Sequence, residues 1–122
     1  MAVALFGVAG QASAQSVVRS VSADADDAEQ DVSSGVVDLT SSDLEIPLEG
    51  AAEQYIGMRF TNITVPVGAT ITGANIQFHV DELETNTAVT MTFYGEDVDD
   101  AGTFTITNND IWGRTKTTAS VN

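Results

Sequence analysis

Apolar and polar residues take turns at every second position through much of Tyr55–Val80 (YIGMRFTNITVPVGATITGANIQFHV), and this alternation most limits what the chain can fold into. Ile56, Met58 and Phe60 fall on one side of an extended backbone, with Gly57, Arg59 and Thr61 on the other. Further on, Ala74, Ile76, Phe78 and Val80 oppose Asn75, Gln77 and His79. Successive side chains of a strand point to opposite faces, so the pattern fits a sheet that is dry on one side and wet on the other. Pro66-Val67-Gly68 supplies a turn between the two halves, Pro by fixing its own φ and Gly by permitting a positive one. Ile71 is out of phase with Ala74, and Gly73 between them marks a bulge.

The same period recurs along the chain. Val36–Leu39, Leu44–Leu48, Val89–Phe93 and Phe104–Ile106 are expected strands, with Val17–Val21 a short edge strand. Pro47 confines its strand to an edge or an end. Ser22–Asp31 (SADADDAEQD), Asp81–Thr87 and Gly95–Gly102 read as polar loops. Asn108-Asn109-Asp110 reads as a turn, leading to Ile111–Arg114 and a threonine-rich tail. Nowhere do apolar residues recur at three-and-four spacing for several turns, so no substantial helix is expected. The fold class is therefore all-β, an antiparallel β-sandwich. Roughly six or seven strands are countable where a jelly roll uses about eight, so the sandwich is expected to be incomplete and to carry an open edge that favours association.

With 122 residues there is room for one domain, and 43% hydrophobic residues suffice for a core. No apolar run reaches the about 18 residues that a membrane-spanning helix needs. The segment 1–14 resembles a secretory signal: Met1–Gly10 is apolar, and Ala12-Ser13-Ala14 has the small-x-small form of a cleavage site. No Lys or Arg precedes the apolar run, and a buried N-terminal strand is the alternative. On the signal reading, residues 15–122 form the β-sandwich module of a secreted or cell-surface protein. Cysteine is absent, so no disulfide staples it. The net charge is −14, with only Arg19, Arg59, Arg114 and Lys116 against 18 acids. Such a surface repels nucleic acid and anionic lipid alike.

Two acidic stretches have the chemistry of a structural calcium site. Asp26, Asp27 and Glu29 lie in one, beside Asp24, and Glu96, Asp97, Asp99 and Asp100 in the other. Ca²⁺ takes several carboxylate oxygens from adaptable loops, although neither stretch has the EF-hand spacing and a solvated acidic loop is the plainer reading. His79 stands alone and reads as a surface residue, since a zinc site needs companions. No phosphate loop or nucleophile motif is present, and a glycosidase needs a second carboxylate across a cleft, so the chain is not read as an enzyme. Sugar recognition combines aromatic platforms with planar polar groups; Tyr94 and Trp112 suit the first role, Arg59, Asn75 and Gln77 the second. Packing in the core or at a sheet edge competes for both aromatics. Asn62-Ile63-Thr64 matches a glycosylation acceptor, a short pattern that also arises by chance.

Asp26-Asp27-Ala28-Glu29, Ser41–Glu45, Ile56–Phe60 and Gly68–Phe78 occur in an order that, with Gly95-Glu96-Asp97 and Thr103-Phe104, resembles the DNRLRE-type carbohydrate-binding modules of secreted bacterial proteins. The likeness covers about residues 21–121. It implies a jelly-roll module appended to a larger protein, non-catalytic, binding polysaccharide and often holding a structural calcium ion. Modules of this type continue with a Trp-containing strand and further strands, so this copy is expected to be truncated at its C-terminal side. Its other expected partners are neighbouring domains, or copies of itself joined through sheet edges. A structural or adhesive domain with no sugar site is the alternative function.

Overall fold

A computed structural model describes residues 15–80 and 88–122. The signal-like segment 1–14 and the connection Asp81–Thr87 lie outside the described residues. Six strands follow a single turn of 3₁₀ helix at Asp24–Asp26: β1 (Asp27–Asp31), β2 (Val37–Asp38), β3 (Leu48–Glu49), β4 (Ala52–Met58), β5 (Phe93–Glu96) and β6 (Lys116–Val121). One antiparallel sheet has the order β2-β1-β4-β3, and β5 pairs with β6 in a second. The protein is all-β, antiparallel and sandwich-like. Among the described residues no helix is long and apolar enough to cross a membrane.

The centre of the larger sheet falls where the sequence reads as loop. The acidic DAEQD of β1 pairs with β4 along its whole length, from Asp27 opposite Met58 to Asp31 opposite Gln54, and with β2 on its other side. Neighbours cover this inner strand, Phe104 and Val37 against Ala28 and the Ile111–Trp112 segment against Gln30, and Ala28, Glu29 and Gln30 are all buried. Each polar one is satisfied. Gln30, only 1% exposed, accepts through Oε1 from the backbone N–H groups of Ile111 and Trp112, both at 3.0 Å, while its Nε2 donates to Asn109 Oδ1 at 3.4 Å. The Glu29 carboxylate accepts from the Glu45 amide and so holds the loop before β3.

In and just beyond β4 the expected contrast between the two faces is weak, Arg59 and Thr61 being half-buried like the apolar residues opposite them. Gly57 is buried, whereas Ile56, Met58 and Phe60 are half-buried. The cause is a slot between small cross-strand neighbours: Ala28 lies opposite Gly57, and the Phe104 ring fills the space that larger side chains would take. Ala28, Val37 and Phe104 form the buried core among the described residues, with Leu39 and Ile111 packed against it. Phe104 is not in a strand; its N–H donates to Ala25 O at 2.9 Å, and the Arg114 guanidinium sits 4.3 Å above its ring.

Other expectations shift as well. The Leu44–Leu48 strand contracts to two residues, Val89–Phe93 slides to β5, and the threonine-rich tail becomes β6. Val17–Val21 has no strand partner among the described residues. Residues 71–80 carry no ladder among the described residues, and both sides of their alternation are exposed, Ile76 and Phe78 as well as Asn75 and Gln77. Periodicity shows how a strand divides its faces; covering the apolar face requires a partner, as where Phe78 tilts against Phe93 with ring centroids 6.1 Å apart.

Candidate functional site

Beyond β4 the chain turns at Asn62, whose φ of 57° is a conformation that Asn tolerates better than most residues. The segment 59–63 and the loop 98–101 form the two walls of a groove of about 460 Å³, with Arg59, Phe60 and Asn62 facing Asp99, Asp100 and Ala101. Three bonds set its shape. The Arg59 amide donates to Asp26 O at 2.7 Å, its Nη1 to Asp26 Oδ1 at 2.6 Å, and its Nε to Ala101 O at 2.6 Å. One guanidinium thereby joins the 3₁₀ turn, the end of β4 and the second acidic loop. On the outside, Arg19 Nε donates to Asn62 O at 2.9 Å and steadies the turn.

Of the residues expected to touch sugar, only Arg59 lines this groove. Asn75 and Gln77 lie exposed on the segment 71–80, and Tyr94 lies exposed on β5. Trp112 is at the surface, stacked on Tyr55 with centroids 4.3 Å apart and planes 11° from parallel. The Lys116 ammonium sits 3.9 Å over the same indole and donates to Trp112 O and Arg114 O. A ring so close fills one face of the indole, which leaves the other for the ammonium. Trp112 is thus neither a core residue nor an open platform. Sequence reasoning missed Phe60, assigned to the core, and Asn62, weighed only as a glycosylation acceptor; a turn-tolerant Asn just past a strand is the signal for the second.

The acids expected to hold calcium are spread among separate tasks. Asp26 pairs with Arg59, and Glu96 with Arg114 at 2.9 Å. Glu29 is buried in β1, where it holds the loop before β3, while Asp27 begins the same strand. Asp97, Asp99 and Asp100 are exposed, the last two on the groove wall. Among the described residues no three His, Asp or Glu side chains meet in an arrangement suited to a metal ion. Burial, followed by the negative charges of Asp24 and Asp26, raises the Asp27 carboxyl above its ordinary value, against the lowering effect of its own backbone N–H. His79 is exposed.

Behind the groove, Arg114 ties the second loop to β5. Its Nε donates to Asp110 O, Nη1 to Glu96 Oε2 and Gly102 O, and Nη2 to Thr103 O and Asp110 Oδ2, all between 2.8 and 3.1 Å. All five guanidinium N–H donors are therefore engaged. No protein-family model, curated protein or solved structure matches the chain.

Proposed function

We propose that this chain is a non-catalytic binding module of a secreted or cell-surface protein, and that it holds polysaccharide in the groove between 59–63 and 98–101. The observation that carries the reading is the pairing on facing walls of an aromatic residue and planar polar groups with two carboxylates: Phe60, Asn62 and Arg59 across from Asp99 and Asp100. Carboxylates and amides match sugar hydroxyls as acceptors and donors, and an aromatic residue suits the apolar face of a pyranose. The resemblance to DNRLRE-type modules supports the same ligand class. The placing of the acids supports binding without catalysis. Asp99 and Asp100 are neighbours on one loop, and the facing residues of the groove include no acid, whereas glycoside hydrolysis places its two carboxyls on either side of the bond.

Affinity electrophoresis in gels containing polysaccharide tests this. Retardation should be lost in Asp99→Asn/Asp100→Asn and kept in Trp112→Ala. Loss in Trp112→Ala alone would move the site to the indole, and no retardation by any polysaccharide would end the reading.

A second reading, assembly with copies of itself through strand pairing, is favoured by the unpaired segment 71–80 of alternating sequence, where Ile71, Ile76 and Val80 are exposed. Sedimentation that depends on protein concentration, in the absence of glycan, is its test.

A further inference from the structure

We infer that the glycan taken by this groove is uncharged, and that polyuronates and sulfated glycans are excluded; this rests on the polysaccharide reading and specifies its ligand class. The inference comes from how the chain uses its cations. There are only four, against a net charge of −14, and all lie among the described residues. Arg114 has every donor engaged and lies flat on Phe104. Lys116 is folded over Trp112 and bonded to two carbonyls. Arg59 reaches the groove, but Asp26 at 2.6 Å neutralises it. Arg19 is the one exposed cation; it rests on the carbonyls of Asn62 and Val18, at 2.9 and 2.7 Å, behind a wall whose partner carries Asp99 and Asp100.

Recognition of a carboxylate or sulfate polymer needs unengaged guanidinium or ammonium groups aimed at the ligand. It also needs a field that draws a polyanion in, and the field here has the opposite sign. Hydroxyls ask for neither. Ionised carboxylates accept from them strongly, and the Asn62 amide both donates and accepts.

The experiment compares retardation of the intact chain in gels of galactomannan, mixed-linkage glucan, xyloglucan and alginate, with a chelator present to prevent calcium bridging. At least one neutral polymer should retard the protein, alginate should not, and raising the salt should change the neutral interaction by less than about twofold, because no counterions are released. Asp99→Lys/Asp100→Lys should gain retardation by alginate, showing that charge sets the choice. Retardation by alginate equal to or above that by the neutral polymers overturns the inference alone, as does a steep salt dependence or no gain in the lysine variant. Failure of every gel overturns the polysaccharide reading and this inference with it.

Discussion

The ring of Phe104 lies against Gly57 so closely that a β-carbon added to the glycine would come within 2.6 Å of Cζ. Gly57 is thus required for the space it leaves open. Gly57→Ala should push the ring out of its slot and destabilise the fold by about 1–3 kcal/mol, the usual range for overpacking a core. Urea denaturation reads this directly, and an unchanged midpoint would show that Phe104 moves aside freely.

Gln30 makes a separate prediction. Its amide satisfies two backbone N–H groups and meets Asn109, so Gln30→Leu strands buried donors and should cost about 2–4 kcal/mol. The loop that it anchors carries Trp112, and indole fluorescence should shift to the red as the stack on Tyr55 loosens. A Leu variant with native fluorescence and stability would contradict the anchoring role.

Arg114→Lys keeps the charge but not the fork, and should cost about 2 kcal/mol. Its partner Asp110 is pushed up by burial, an effect outweighed by the Thr105 amide, the Arg114 guanidinium and the Thr105 hydroxyl, so its carboxyl stands below the ordinary value. A lowered carboxylate stabilises the fold above its unfolded pKa, and that contribution is lost as the pH falls through the folded one. Denaturation midpoints measured in acid should therefore converge for wild type and Asp110→Asn; a constant gap down to the lowest pH would refute the coupling.

Glu29 carries the opposite sign. Burial raises its carboxyl above the ordinary value; the Glu45 amide works against this, while Glu49, Glu45 and Asp38 add to it. Ionisation of a group with a raised folded pKa costs stability as the pH rises through that pKa. Glu29→Gln keeps an acceptor for the Glu45 amide, and should stabilise the protein by about 1 kcal/mol at neutral pH. The advantage should shrink toward mild acid in thermal melts, and a variant less stable at pH 7 would show that the charge itself is needed.

The all-β class was legible because alternation is a local property of any extended chain. The identity of the central strand was not. DAEQD reads as loop by composition, and it is placed inside by pairing with β4 and by contacts from Asn109, Ile111 and Trp112, which no local window contains. The clearest alternation, at Ala74–Val80, lies exposed because a period fixes faces but not neighbours. Arg59 was identifiable as a polar residue at the end of an apolar strand. Its pairing with Asp26, across 33 positions, was beyond any spacing rule, and so was the groove that this pairing shapes.

The bonds from Ile111 and Trp112 to Gln30 span 81 and 82 positions. A ribosome delivers the N-terminal portion first, so β1 emerges with its amide unmatched and waits until the far segment has left the exit tunnel. Contacts of such separation close late, because the loop-closure entropy must be met first. Until β1 and β4 pair with each other their edges are open, the condition under which strands of neighbouring chains can pair in their place.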